Sequence, residues 1–161
     1  MGKLVLVRHG ESELNMENIF FGHLDPKLTE KGQSQALKAK EILSNIDYKK
    51  IYSSPLTRAI ETADIEWKEN WRTYDYQTGE SVQQLQKRSV NFVKSLDLST
   101  GNIVMVCHWG VINCILSYYF SGGLNGYWKF APNYAGIIVI EFTDGYPVLK
   151  GINIGDVDGI I

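Results

Sequence analysis

Lys3-Leu-Val-Leu-Val-Arg-His-Gly-Glu-Ser12 is the stretch that decides the fold. Its apolar half, rich in Val and Leu, predicts a strand buried on both faces, as in a parallel sheet. Two basic side chains, Arg8 and His9, and a glycine follow at once. Because such a pair packs poorly in a core and binds anions well, we predict that the strand ends at an anion site.

Length and composition indicate one globular domain, and we expect it to span residues 1–161. The chain is 44% hydrophobic and 21% charged, with a net charge of −2. This balance gives no sign of a nucleic-acid partner, and no apolar run is long enough to span a membrane. Cys107 and Cys114 show neither pairing nor metal spacing, and no secretion signal opens the chain. We therefore expect a cytoplasmic protein.

Strands alternate with helices along the chain, which predicts an α/β fold with a largely parallel sheet. Helices are expected after the N-cap Thr29 and after Ser81, where Gln84 completes a capping box. Ser54-Pro55 predicts a further helix with Ser54 as its N-cap. Asp144-Gly145 predicts a hairpin between the last two strands, which adds antiparallel character.

Three of the predicted strands are followed by basic or imidazole side chains. Arg8 and His9 follow the first strand, Arg58 lies in the opening turn of the helix after the second, and His108 follows the third. Ligands of open α/β sheets bind beyond the carboxyl ends of the strands, so these junctions can share one pocket. Two arginines, two histidines and helix N-termini around one point suit a dianionic phosphate group.

An imidazole in such a pocket can act as a nucleophile, because its ordinary pKa of about 6.5 leaves much of it neutral near pH 7. A neutral His9 held between two arginines can attack phosphorus in line and form a phosphohistidine. The cations keep the ring neutral and stabilise the charge of the transferring group. Ser12 and Asn15 follow closely enough to add neutral donors.

Other chemistries fit the pattern less well. A zinc site built from His9, His23 and His108 lacks helical ligand spacing. Cys107 is expected to face the core, because neighbouring side chains of a strand point to opposite faces. The serines at 53–54 lack the glycine-flanked elbow of serine hydrolases, and no phosphate-binding glycine loop indicates a nucleoside triphosphate.

The ordered set of motifs resembles the histidine phosphatase superfamily, in its phosphoglycerate mutase-like branch. The resemblance covers most of the chain and is carried by residues 6–12 with 15, 22–25, 28–29, 32, 53–59, 61–63, 79–81, 88, 106–108 and 110. It implies a three-layer phosphoglycerate mutase-like α/β fold, with a mostly parallel central sheet flanked by helices. Residues 125–130 and 144–147 look most similar to the α-ribazole phosphatases of cobalamin biosynthesis.

The resemblance also implies roles for individual residues. His9 would be phosphorylated in turnover, and the rest of the phosphate pocket would be Arg8, Arg58 and His108, with further contacts from Ser12, Asn15 and Gly22. No metal or organic cofactor is implied. The expected partner is a small phosphorylated metabolite, and a monomer and a homodimer both stay open.

The sequence departs from the family pattern in two places. Trp109 follows His108 where the family has glycine, so its ring either narrows the pocket or packs behind it. Relatives are also longer between about 64 and 78, where they carry a glutamate that protonates the leaving oxygen and then activates water. This chain lacks that motif, and Glu66 and Glu69 are the nearest candidate acids.

We therefore expect a phosphatase that hydrolyses a phosphomonoester through phospho-His9, with α-ribazole 5'-phosphate as one candidate substrate. Three alternatives stay open: a short-form phosphohistidine phosphatase, a phosphoglycerate-type mutase, and a phosphoryl-binding module with weakened catalysis. Mutases use extra enclosing segments, and this chain is short in that region. The absence of the acid motif is the reason for considering a phosphoryl-binding module. The same absence favours substrates whose leaving group departs without a proton.

Overall fold

The computed structural model describes residues 2–17, 24–64 and 81–155. The strands are β1 (Lys3–Arg8), β2 (Tyr48–Ser53), β3 (Asn102–Cys107), β4 (Ile137–Thr143) and β5 (Tyr146–Ile154). The α-helices are α1 (Glu30–Leu43), α2 (Thr57–Asp64), α3 (Val82–Ser95) and α4 (Trp109–Phe120). Short 3-10 helices cover Glu13–Glu17, Leu98–Thr100 and Leu124–Lys129. Within these ranges, no helix has the length and apolar character that crossing a bilayer requires.

The five strands form one mixed sheet in the order β2-β3-β1-β4-β5. The first three strands along the chain run parallel, while β4 is antiparallel to β1 and β5 is antiparallel to β4. The predicted hairpin is confirmed, with left-handed φ angles of 50° at Asp144 and 84° at Gly145. The carboxyl ends of the three parallel strands therefore share one edge of the sheet.

Helices cover both faces of the sheet, and the three-layer α/β prediction is confirmed. Because β1 alternates its side chains, Leu4 and Leu6 pack with residues of α3 and α4, whereas Val5 and Val7 pack with residues of α1 and α2. Every one of these four side chains is buried. This explains why the strand reads as one continuous apolar run.

Two of the predicted helix starts are confirmed and one is wrong. The Thr29 hydroxyl caps α1 at Gly32 N, and Ser81 forms the predicted capping box. The third helix, α2, does not use Ser54 as its cap. Asp25 accepts hydrogen bonds from the backbone N of Thr57, at 2.6 Å, and from the Thr57 hydroxyl, at 2.7 Å. A carboxylate 32 residues upstream thus takes the capping role, since an anion suits a helix N-terminus.

Candidate active site

The two histidines predicted to share a pocket lie side by side. Strand β3 lies between β1 and β2, so His9 and His108 follow neighbouring strands. The backbone N of His9 donates to the carbonyl of Cys107 at 3.0 Å, which extends the strand pairing past the end of β1. The two imidazole ring centroids are 5.1 Å apart. The edge of the parallel strands therefore carries an imidazole pair, as the order of the motifs predicts.

His9 is buried and electrostatically prepared to stay neutral. Its Nδ1 lies 2.7 Å from the carbonyl oxygen of Gly10, so Nδ1 carries the proton and Nε2 keeps its lone pair. The pKa of His9 is lowered to about 3, chiefly by burial and in smaller part by the charges of Arg58 and Arg8, while the hydrogen bond to the Gly10 carbonyl opposes the shift. The ring is therefore neutral across the physiological range, as a nucleophile must be.

Arg8 holds its positive charge next to His9, and no carboxylate of the described residues forms an ion pair with it. Its Nη1 donates to the carbonyl of Pro132 at 2.7 Å, and its guanidinium carbon lies 3.7 Å from the centre of the Tyr134 ring. Burial lowers the pKa of Arg8 and Tyr134 raises it, but a guanidinium stays charged in either case. Among the described residues the buried Nε of Arg8 has no hydrogen-bond partner. This donor is available to an anion.

Arg58 contributes a second charge to the same place from the opening turn of α2. Its side chain is buried, and Nη1 donates to the carbonyl of Leu24 at 3.0 Å. Burial lowers the pKa of Arg58, and the neighbouring Asp25 opposes that shift. The Arg58 charge acts on both histidines and lowers the pKa of each. The structure thus brings together all four residues of the predicted phosphate pocket.

Thr62 ties α2 to the turn that carries His9, a role that the sequence analysis missed. Its hydroxyl donates to the carbonyl of Arg58 at 2.7 Å and accepts from the backbone N of Gly10 at 3.0 Å. The side chain is buried. The sequence offers one indication of this role: Thr62 follows Arg58 by four residues, and residues four apart share one face of a helix. Through Thr62, the helix that carries Arg58 is positioned relative to His9.

His108 is held by Ser54, the second residue whose role the sequence analysis missed. The Ser54 hydroxyl lies 2.6 Å from Nε2 of His108 and accepts a long bond, 3.4 Å, from the backbone N of Leu56. This hydroxyl can donate to Nε2 or accept from it, because its oxygen has two lone pairs and its proton rotates. Nδ1 is buried and has no partner within the described ranges. The pKa of His108 lies well below 6.5. Burial is the largest cause, and His9 and the nearby arginines lower the pKa as well.

The predicted secondary contacts are placed only in part. Ser12 is buried, and its hydroxyl and backbone N both donate to Oδ1 of Asn15, at 2.7 and 3.1 Å. These two residues therefore bind each other beside the His9 turn, and their contact with phosphate stays a prediction. Gly22 and the candidate acids Glu66 and Glu69 lie outside the described residues.

The carboxylates near the His9 turn have structural hydrogen bonds. Oε2 of Glu61 accepts from the backbone N of Leu28 at 2.7 Å, and Oε1 of Glu11 accepts from the Thr29 hydroxyl at 3.1 Å. Asp25 caps α2, as described above. These bonds hold the segments around the turn together. They assign none of the three carboxylates to proton transfer.

The competing chemistries gain no support from the described residues. No group of three or more histidine, cysteine or acidic side chains there has the arrangement of a metal site. Cys107 is buried in the core, as predicted, and burial raises the pKa of its thiol to about 12. Because the thiolate is the nucleophilic form, this thiol is unreactive.

The lowered pKa values predict that acid destabilises the fold. In the folded chain His9 stays neutral down to about pH 3, whereas the unfolded chain takes up a proton near pH 6.5. The unfolded state therefore binds more protons in this window, and stability falls as the pH falls, by up to about 1.4 kcal/mol per pH unit from His9. His108 acts in the same direction. Urea unfolding between about pH 7 and pH 5 measures this, and a His9→Asn variant with an undiminished slope would contradict it.

Ser54→Ala is expected to reduce turnover of a phosphomonoester by about ten- to a hundredfold, because it leaves the buried Nε2 of His108 without a partner. The effect should fall on kcat more than on KM, and it should shift the acid limb of the pH profile. Ser54→Thr keeps the hydroxyl and should restore most of the rate. Ser53→Ala is the matched control, since the exposed Ser53 hydroxyl donates to the Ser54 carbonyl instead. Equal losses in both alanine variants would refute the positioning role.

Comparison with known proteins agrees with this geometry. The sequence matches the model of the histidine phosphatase superfamily (branch 1) over residues 4–66 and 65–155. Phosphoglycerate mutase 1 of Saccharomyces cerevisiae is 51% identical over 70 residues, which are 40% of this chain and only 27% of the mutase. The chain therefore matches a limited part of that relative's length.

Two phosphatases align over nearly the whole chain. Adenosylcobalamin/alpha-ribazole phosphatase of Salmonella typhimurium is 25% identical over 193 residues, covering 94% of this chain and 96% of the phosphatase. The crystal structure of a phosphoserine phosphatase mutant (H9A) from Entamoeba histolytica, in complex with phosphoserine, superposes with a TM-score of 0.80. It is 27% identical and covers 97% of this chain and 98% of that chain. The chain belongs to the histidine phosphatase superfamily, branch 1.

Proposed function

We propose that this protein hydrolyses phosphomonoesters through a phosphohistidine on His9. The observation that carries the proposal is a pair of buried nitrogens, Nε of Arg8 and Nδ1 of His108, without hydrogen-bond partners among the described residues, on the two residues that adjoin the neutral imidazole of His9. Buried polar groups in native proteins are nearly always hydrogen-bonded, so these two nitrogens indicate a ligand, and the Nε–H of Arg8 requires a ligand that accepts hydrogen bonds. A phosphoryl group accepts them and suits the two positive charges.

The reaction has two displacement steps. In the first, Nε2 of His9 attacks phosphorus, the bond from phosphorus to the ester oxygen breaks, and the alcohol leaves after gaining a proton. In the second, water attacks phospho-His9, which releases inorganic phosphate and restores the neutral ring. Arg8, Arg58 and His108 would bind the phosphoryl oxygens and stabilise the charge that they carry at each transition state.

We propose a single domain over residues 1–161, shortened between about 64 and 78. The family match supports this, because it comes as two successive parts that meet at residues 65–66. The alignment to the Salmonella phosphatase also supports it, because it extends over 193 residues although this chain has 161. The shortening would remove the acid-bearing motif, so departure of the alcohol would lack efficient protonation.

The substrate proposal follows from the relatives that align over most of the chain. One is an α-ribazole phosphatase and the other a phosphoserine phosphatase. We take α-ribazole 5'-phosphate, and with it a role in cobalamin biosynthesis, as the first substrate to test, and phosphoserine as the second. A small phosphorylated metabolite in the cytoplasm is the expected partner. Mutase activity is the weaker candidate, because the mutase similarity covers only 40% of the chain.

Trapping the phosphoenzyme tests the proposal. The protein is mixed with a phosphorylated substrate, quenched in alkali, which preserves phosphohistidine, and mapped by peptide mass spectrometry. We expect phosphate on His9, together with steady hydrolysis of p-nitrophenyl phosphate that chelators leave unchanged. Label on another residue, or hydrolysis without any label on His9, would overturn the mechanism. Phosphate binding without turnover would favour the phosphoryl-binding module, and transfer between phosphoglycerates without phosphate release would favour the mutase.

A further inference from the structure

Three aromatic side chains form a cluster that the proposed chemistry does not use. Trp109, Tyr127 and Trp128 contact one another in every pair, with ring centroids 5.5, 5.3 and 5.1 Å apart. Two of the three pairs are edge-to-face, at 87° and 88°. This geometry is favourable for aromatic rings and holds each of them in a defined orientation. We refer to these three residues as the aromatic cluster.

The aromatic cluster is continuous with the candidate active site. Trp109 directly follows His108 and is the first residue of α4. Side chains of a helix lean toward its N-terminus, and the N-terminus of α4 lies at the histidine pair. The Tyr127 hydroxyl lies 3.1 Å from the position that a Cβ atom at Gly110 would occupy, two residues after His108. The cluster therefore rests on the turn of α4 that borders the phosphate pocket.

Burial across the cluster is graded in a way that favours binding at its outer end. Tyr127 is buried and Trp109 partly buried, whereas Trp128 is 73% exposed. Two other rings contact this exposed indole. A supported, exposed aromatic face that packs on Trp109, the residue after His108, suits a ligand with one anionic end and one planar apolar end.

We propose that the aromatic cluster is a subsite for a planar aromatic group on the alcohol portion of the substrate. The substrate class would then be phosphomonoesters of alcohols that carry an aromatic ring system, with the phosphate at His9 and the ring stacked on Trp128. This inference rests on the proposed function for the phosphate end only. Stacking of a base on an aromatic side chain changes affinity by about ten- to a hundredfold in other proteins.

Adenosine 5'-monophosphate and ribose 5-phosphate provide a matched pair of probes. Both carry the phosphate on the 5'-oxygen of ribose, and they differ in the aromatic base. Their inhibition constants are measured against p-nitrophenyl phosphate hydrolysis by the full chain. We expect the nucleotide to bind about tenfold more tightly, and Trp128→Ala to remove most of that preference. Tyr146→Ala is the control, because Tyr146 is 75% exposed. The strand registers place it near the opposite ends of the strands from His9.

Each outcome decides the inference. Equal inhibition constants in the unsubstituted protein, or a preference that Trp128→Ala leaves intact, would overturn the subsite while hydrolysis that depends on His9 still supported the proposed function. If the protein does not turn over p-nitrophenyl phosphate, calorimetric titration of the two probes yields the same ratio without catalysis. A dimer that Trp128→Ala converts to a monomer, with an unchanged ratio, would assign the cluster to self-association and refute the proposal.

Discussion

Replacing His9 by alanine is expected to abolish hydrolysis of p-nitrophenyl phosphate and to prevent formation of the phosphoenzyme. The physical reason is that the imidazole Nε2 bonds to phosphorus in the proposed mechanism, in which Arg8 and Arg58 supply charge but no nucleophile. Removing the nucleophile of a covalent mechanism lowers kcat by roughly four to six orders of magnitude. Steady-state kinetics and mapping of the phosphorylated peptide measure the two effects independently.

Two further variants make the His9 result specific. His9→Asn keeps more of the side-chain volume in this buried position and should be as inactive as His9→Ala. Cys107→Ala removes the buried thiol next to His108 and should retain activity, since a thiol with a pKa of about 12 does not act as a nucleophile. Activity within tenfold of the unsubstituted protein in either His9 variant would refute the phosphohistidine mechanism. Loss of activity in Cys107→Ala with an unchanged melting temperature would indicate that the Cys107 thiol takes part in the reaction.

The second large effect is a steep dependence of turnover on the leaving group. We expect p-nitrophenyl phosphate to be hydrolysed about a hundred- to ten-thousandfold faster than phosphoserine, which is the range that a missing general acid produces. Nitrophenolate departs without a proton, whereas the serine alkoxide requires one. Measuring kcat for a series of aryl and alkyl phosphates tests this. The slope of log kcat against the pKa of the leaving alcohol reports the charge that develops on the leaving oxygen.

The same series identifies an acid if one exists. A shallow dependence would show that some group protonates the leaving oxygen, and it would contradict the expectation that turnover proceeds without a general acid. Glu66→Gln and Glu69→Gln then distinguish the candidates. The variant that removes the true acid slows the alkyl phosphates and leaves p-nitrophenyl phosphate nearly unchanged. Glu13→Gln, on the 3-10 helix Glu13–Glu17, is a control for the loss of one surface carboxylate.

Local patterns were sufficient to predict most of the fold. The continuous apolar run of β1, the Thr29 cap and the Ser81 capping box each depend on residues within a few positions of one another. The hairpin at Asp144-Gly145 depends on two residues that accept positive φ angles. In all these cases the backbone preference and the burial pattern agree, so tertiary packing had nothing to override.

Tertiary contacts decided what the local patterns left open. The sequence around Ser54 has the form of a helix cap, yet Asp25 caps α2 and the Ser54 hydroxyl holds His108. Thr62 bridges to Gly10 across 52 positions of sequence. A polar side chain near several partners bonds to the one that the fold brings into reach, and no short-range pattern records that choice.

By itself, the sequence predicted a phosphoryl ligand and His9 as its nucleophile, because the order of the strands and of the basic side chains that follow them can be read along the chain. The tertiary structure decided how that chemistry is supported. It lowers the pKa of His9 by burying the ring, it leaves Nε of Arg8 and Nδ1 of His108 without hydrogen-bond partners among the described residues, and it packs Trp109, Tyr127 and Trp128 against one another. Burial and distance arise only when separate elements meet, so these properties follow from packing rather than from any single stretch of the chain.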